Sequence, residues 1–319
     1  MQIRILKGEE VRKALPMKAA IERVRLAYGQ FSSGKATMPL RTRLNTDKGV
    51  TLLMPAFLHQ SRDLAVKVVS VYGDNPKLGL PTVSATVLVL DPDTGMPRAF
   101  MDGDSLTALR TGAAGGVATD LLAGKDARNV ALFGAGVQGR AQLEAVLTVR
   151  KIASVSVYDP VEAAAKQLVA EIRKWSDAPD AHIADTPQAA VRDADIIITA
   201  STSKTPLFDD ADLKPGVHIT GVGSFTPEMQ EIPAATVHRA RVVVDSREAC
   251  RAEAGDIIQS GADIHAELGE IINGDAPGRT EADQITFFKS VGLAVQDAVT
   301  ASAVLAAAEK EDLGILIDL

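Results

Sequence analysis

Residues Gly134-Ala135-Gly136-Val137-Gln138-Gly139 follow the apolar run Val130–Phe133 and open a stretch of helical periodicity, Arg140–Val149. This context constrains the chain more than any other feature, because the three glycines have three different jobs. The first makes a tight turn out of a strand. The second lets the backbone approach a ligand, and the third lets the helix pack closely on the strand. The unpaired amides of the helix's first turn then form a seat for phosphate. Asp159 ends the next apolar run, Val155–Tyr158, about twenty residues further on, where a carboxylate can accept hydrogen bonds from ribose hydroxyls. The pattern points to a dinucleotide, although the same glycines could serve helix packing alone. A carboxylate there repels a 2′-phosphate, and no Lys or Arg follows before Lys166, so NAD(H) is favoured, with NADP(H) as the alternative.

Strand and helix alternate from Asn129 to Asp245. The runs Val130–Phe133, Val155–Tyr158, Ile196–Ala200, Val217–Val222 and Val242–Val244 read as strands, and Arg140–Val149 and Val161–Trp175 as helices. This predicts an α/β fold with a Rossmann-type, doubly wound parallel sheet. Upstream the texture differs, with two helices among strands and hairpins. Met17–Phe31 has helical spacing, Leu64–Val71 and Thr82–Leu90 read as strands, and Asp91-Pro92-Asp93-Thr94-Gly95 is a hairpin turn. Asp104-Ser105 reads as a cap ahead of a helix over Leu106–Leu122. The alanine-rich tail Ile285–Glu309 reads as helix, and a parallel sheet would be complete without it. The expected division is a Rossmann domain over 119–289, inserted in a smaller α+β domain built from 1–118 and 290–319.

Composition narrows the function classes. A chain of 319 residues accommodates about two domains. Asp and Glu number 41 against 34 Lys and Arg, a net charge of −7 that disfavours nucleic acid and anionic membrane as partners. Aromatic residues at 4% leave little for stacking bases. Thr82–Leu90 is too short to span a bilayer, the N-terminal residues lack a signal peptide's apolar core, and a single cysteine makes no internal disulfide. A cytoplasmic protein is expected. The histidines His59, His182, His218, His238 and His265 show no metal-ligand spacing, so no metal is expected.

Three basic positions stand out in the first domain. Lys67 interrupts the apolar strand Leu64–Val69; it either lines a cavity, where burial lowers its pKa, or guards an edge strand. Arg110 lies in a helix of small and apolar residues, where it could fork onto a carboxylate or form a structural ion pair. Arg41 and Arg43 share one short segment, and spacing does not choose between them. Beside a nicotinamide, such cations suggest a small carboxylate-bearing substrate. Asp297 is expected as an exposed helical aspartate, Glu253-Ala254-Gly255-Asp256 as a structural loop, and Cys250 without catalytic partners.

The segments Pro39–Arg43, Leu53-Met54-Pro55, Gly79–Val83, Leu106–Thr111, Gly134–Gly139, Val222-Gly223-Ser224 and Lys289–Gly292, with Lys67, together resemble the ornithine cyclodeaminase/μ-crystallin family over nearly the whole length. The resemblance implies a homodimer in which the first domain and the C-terminal helix build the substrate site and subunit contact. It implies Arg41 and Arg110 as substrate-carboxylate ligands, Lys67 as the lysine beside the reacting carbon, and Thr82 as a pocket residue. Thr111 and the turn Gly134, Ala135, Gly136, Val137, Gln138 and Gly139 would contact phosphate, and Asp159 the adenosine ribose. Ser201, Thr202, Val222 and Gly223 would flank the cofactor, and Ser290 and Val291 would close over the nicotinamide.

Two departures bear on activity. Phe225 stands where cyclodeaminases carry an acid/base aspartate, and Leu52 where their pocket carries a glutamate. Deaminating cyclisation must move several protons and expel ammonia, and two apolar groups cannot do so. Reduction of a preformed cyclic imine asks only for hydride, a carboxylate clamp and one proton donor. The stretch Ser224–Met229 is similar to that of bacterial Δ1-pyrroline-2-carboxylate reductases, in which Phe225 would pack on the imine ring rather than fill core space. The resemblance therefore implies NAD(P)H-dependent reduction of a cyclic α-imino acid to L-proline or L-pipecolate. An alanine-type dehydrogenase, an ornithine cyclodeaminase and a μ-crystallin-like ligand-binding protein are the alternatives.

Overall fold

The β-branched and aliphatic runs form two sheets, one in each of two units, in a computed structural model that describes residues 2–318. One unit comprises the residues up to Arg110 together with those from Leu293 onward; the other is Thr111–Gly292. The first cut falls inside the continuous helix Gly103–Leu122. It lies ahead of the 118 expected from the sequence, and the second cut lies just beyond the expected 290.

In the first unit, strands Ile315–Asp318, Gln2–Leu6, Pro97–Asp102, Val83–Leu90, Asp63–Val71, Val50–Leu58 and Ala36–Thr37 lie side by side in that order, and Thr42–Asn45 also pairs with Val50–Leu58. All neighbours are antiparallel except Gln2–Leu6 and Pro97–Asp102. Side chains alternate across the pleat. Met54, Lys67, Val87, Met101 and Leu6 lie in one cross-strand row, all buried. Helix Ala294–Glu311 packs on strands Val50–Leu58 and Asp63–Val71 and on helix Met17–Ser32. A further short helix, Gly8–Ala14, had no clear periodic signal. The helix expected from Leu106 begins at Gly103, because the Asp102 carboxylate accepts the Ser105 amide at 2.7 Å and so acts as the cap itself.

In the second unit eight strands are all parallel, in the order Asp180–Ile183, Ser154–Tyr158, Asn129–Phe133, Ile196–Thr199, His218–Gly221, Thr286–Lys289, Arg241–Val244 and Ala266–Glu267. The chain winds outward from Asn129–Phe133 in both directions, the doubly wound arrangement expected of a Rossmann sheet. One expectation is corrected. The tail from Ile285 is not all helix: Thr286–Lys289 is a fully buried strand in the sheet interior, and the helix begins at Ala294. A short run with two adjacent phenylalanines, buried on both faces, reads as strand on length and residue type, and the adjoining alanine periodicity hides it. Among the described residues no helix is long and apolar enough to cross a membrane.

Candidate active site

Lys67 sits in a strand paired on both sides and is 2% exposed, so it guards no edge. Its Nζ lies 2.7 Å from Asp297 Oδ2. Arg110 Nε lies 3.0 Å from Asp297 Oδ1, and Arg110 Nη1 donates to Gln296 Oε1 at 2.9 Å. Asp297 is 1% exposed, which overturns the exposed helical aspartate expected for it. The physical reason is the helix itself: every residue from Ala294 to Ala298 is buried, so a carboxylate there must find cations.

Both contacts are buried ion pairs that share the single Asp297 carboxylate. Gln296 completes the arrangement. Its Oε1 also accepts the Leu293 amide at 2.7 Å, and its Nε2 donates to the Tyr28 hydroxyl at 3.0 Å.

Burial, and next the Arg110 charge, bring Lys67 down from 10.5 to about 8, with Asp297 opposing and Arg41 adding a smaller push downward. The charge of Arg41 therefore reaches Lys67, whereas Arg43 is exposed in strand Thr42–Asn45. Burial also raises the carboxyl of Asp104, whose charge couples to Lys67. Two cations thus flank one buried carboxylate, with the charge of a third, Arg41, felt at Lys67, and the excess positive charge suits an anionic ligand. Thr82 is exposed just before strand Val83–Leu90, with its carbonyl accepting the Tyr72 amide. Leu52 is buried on the same strand face as Met54.

In the second unit the sequence-derived cofactor residues gather at one edge of the sheet. Gly134–Gly139, Asp159, Ser201 and Thr202, Val222 and Gly223, and Ser290 and Val291 follow the C-terminal ends of five adjacent parallel strands. That edge, where the winding reverses, is where open α/β sheets bind ligands.

The glycines separate by cause. A Cβ on Gly139 would lie 2.0 Å from Gly134 O, and Gly134 has φ +97° with Ala200 O 2.5 Å from where a Cβ would stand. Packing accounts for both. Gly136 is different: a Cβ there meets nothing within 4 Å, and helix packing does not explain it. The space above it suits a pyrophosphate on the helix Val137–Val149.

Asp159 braces this turn, accepting the Ala135 amide at 2.8 Å and the Val161 amide at 2.8 Å. Thr111 is buried, and its carbonyl accepts Gln142 Nε2 at 2.7 Å. Ser290 Oγ and the Val291 amide both donate to Asp245 Oδ2, at 2.7 and 2.9 Å. Phe225 is 47% exposed, so it fills no core. Sequence reasoning missed Asp245 and Glu231, the buried carboxylates that hold these loops; neither belongs to a recognisable motif.

The remaining candidates have structural accounts. His218 is buried between Thr286 and Thr220, and burial lowers its pKa to about 3. Cys250 Sγ donates to Asp245 at 3.2 Å, and burial raises the thiol. Asp256 is buried and accepts the Glu231 and Ile232 amides.

Comparison with known sequences matches residues 1–312 to the profile of the ornithine cyclodeaminase/mu-crystallin family. The chain belongs to that family. Within it, a Δ1-pyrroline-2-carboxylate reductase of Bacillus cereus is 38% identical, covering 98% of this chain and 99% of its own length. Among solved structures, the Δ1-pyrroline-2-carboxylate reductase of Thermococcus litoralis in complex with NADH and L-proline is 41% identical with a TM-score of 0.93, over 98% and 99% of the two chains. An archaeal alanine dehydrogenase dimer with bound NAD is 34% identical with a TM-score of 0.94 over the full length of both. The family fold is thus the fold described above.

Proposed function

We propose that this chain reduces Δ1-pyrroline-2-carboxylate to L-proline, and the six-membered Δ1-piperideine-2-carboxylate to L-pipecolate, with NADH favoured over NADPH. The observation that carries the reading is the buried Lys67, drawn down to about 8 and held against Asp297 beside Arg110. Both named reductase relatives span the whole chain and support the same substrate.

The residues present fit a dinucleotide, as the open space above Gly136 indicates. Gly134–Gly139 and Thr111 would hold its phosphates, Asp159 its adenosine ribose, and Ser201, Thr202, Val222, Gly223, Ser290 and Val291 the remainder. When bound, it supplies hydride to the imine carbon. Arg41 and Arg110 take the substrate carboxylate, Thr82 and Phe225 line the ring, and Lys67 gives its proton to the imine nitrogen. A lysine near 8 is charged at neutral pH yet gives up its proton more readily than an ordinary one. Asp297 keeps Lys67 and Arg110 oriented between turnovers.

The assembly is a homodimer in this reading. On the first sheet's other face Pro55, Val66, Leu88, Phe100, Ile5 and Ile315 form one apolar cross-strand row, with Ile5, Phe100 and Ile315 exposed. A second copy is the occupant we favour, in line with the dimeric archaeal relative.

The test follows nicotinamide absorbance with each cofactor against pyrroline-2-carboxylate, piperideine-2-carboxylate, pyruvate plus ammonia, and ornithine plus NAD. Fastest oxidation of NADH by a cyclic imino acid is expected. Preference for pyruvate plus ammonia would make the chain an alanine-type dehydrogenase. Proline and ammonia from ornithine would make it a cyclodeaminase, and absence of any turnover a μ-crystallin-like binding protein.

A further inference from the structure

Glu231 is wholly buried, and its carboxylate joins two loops that follow neighbouring parallel strands. Oε1 accepts the amide and the hydroxyl of Ser201, each at 2.7 Å. Oε2 accepts the amides of Gly223 and Ser224, at 2.8 and 3.2 Å, and the Thr199 hydroxyl at 3.0 Å. One side chain therefore receives five donors, three of them backbone amides at the C-terminal edge of the sheet. The acid is fixed in turn, because its own amide and that of Ile232 donate to Asp256 Oδ1 at 2.7 and 3.0 Å. Lys289, at the end of the next strand, lies 3.3 Å from Asp256 Oδ2 and supplies positive charge to both acids.

The grip is tight enough to dictate neighbouring residues. A Cβ on Gly223 would stand 2.2 Å from Ser201 O and 2.4 Å from Glu231 Oε1, so only glycine fits between the loops. The same loop supports the glycine turn, since Gly134 packs with its absent Cβ 2.5 Å from Ala200 O, next to Ser201. A buried carboxylate is costly unless its hydrogen bonds are made, and here they are made by the segments expected to hold the cofactor.

We propose that Glu231 is a positioning residue for the dinucleotide, locking the Ser201 and Gly223 loops and the glycine turn into one preformed seat. This rests on the dinucleotide reading above. A seat already ordered spares the ligand the entropy of ordering it. Glu231→Gln discriminates between the two loops. Its oxygen can keep the Thr199, Gly223 and Ser224 donors, while its NH2 then faces the Ser201 amide and loses that bond. Glu231→Ala releases both loops.

The experiment uses the full chain as wild type, E231Q and E231A, measuring NADH affinity by fluorescence titration, KM for the cyclic imino acid at saturating NADH, melting temperature, and amide exchange at Ser201, Gly223 and Ser224. E231Q should bind NADH about tenfold more weakly, the equivalent of one charged hydrogen bond, with the imino-acid KM within about twofold of wild type. Exchange should quicken at Ser201 and not at Gly223. E231A should be weaker still; if it fails to fold, E231Q decides. Unchanged NADH affinity in E231Q overturns the proposal. So does a parallel loss of melting temperature, NADH affinity and imino-acid KM, which would assign Glu231 to general stability. Absence of NADH binding by the wild type would instead overturn the dinucleotide reading, and the proposal with it.

Discussion

Asp297 Oδ2 lies 2.7 Å from Lys67 Nζ, a strand lysine and a helix aspartate both almost fully removed from water. Asp297 opposes the downward pull of burial and Arg110 on the lysine we place at the imine nitrogen, and the same carboxylate meets Arg110 on its other oxygen.

Lys67→Ala should lower turnover by about a hundredfold to ten-thousandfold, the usual weight of a general acid, while NADH affinity stays close to wild type. Steady-state kinetics paired with NADH titration checks this. Undiminished turnover would remove Lys67 from the mechanism.

The pH profile of turnover should fall on the alkaline side near pH 8, as Lys67 loses the proton it donates. Asp297 raises the Lys67 pKa, so Asp297→Asn should move that limb to lower pH. A limb that stays in place, or moves upward, would show that another group titrates. A lysine lowered in the folded state opposes folding fully below about pH 8, and that cost fades as pH rises toward 10.5.

Asp297→Ala leaves Lys67 and Arg110 buried without their counter-charge, and should cost about 3–5 kcal/mol of stability. Chemical denaturation of the full chain, compared with wild type, reads it directly. A loss below about 1 kcal/mol would mean that water or a shifted Lys67 pKa relieves the charge.

Gly136→Ala and Gly139→Ala should part company. The Gly139 side chain would collide with Gly134 O, so melting temperature and NADH binding should fall together. The Gly136 side chain meets no protein atom, so folding should hold while NADH affinity drops more than about tenfold. Equal NADH binding by Gly136→Ala and wild type would return the turn to a packing role.

Arg41 and Arg43 should likewise separate. Arg41→Ala should raise the KM for the imino acid about tenfold or more, the weight of a charged hydrogen bond, and Arg43→Ala should leave it unchanged. Of the two, Arg41 is the one whose charge registers at Lys67. Equal effects would mean that the segment acts as a whole.

Five strands of the parallel sheet were legible because each is a short aliphatic run ended by a turn residue. Asp180–Ile183 was not, since an edge strand exposed to water carries polar residues at alternate positions. Thr286–Lys289 reads as helix from sequence because the alanine-rich pattern beside it overwhelms four residues. Asp297 carried a usable signal: it is the one charge in a stretch, Leu293–Leu305, made mostly of Ala, Val and Leu, which reads as a buried face. Lys67 gave the same signal in a strand, where period-two alternation makes it easier to see. Glu231 carried none, because its partners lie in loops whose proximity is a property of the sheet.

The alternation of strand and helix, the glycine turn with its following acid, and the type of charge set into apolar segments are all written in the residues. These are local, encoded in periods of two and 3.6 residues and in the backbone freedom of glycine. Which charges meet depends on the fold. Lys67, Arg110 and Asp297 come from a strand and two helices far apart in the chain, and Glu231 joins the ends of two strands. Pairing of this kind follows from burial: once folding removes water, each charge must take whichever partner the packing supplies.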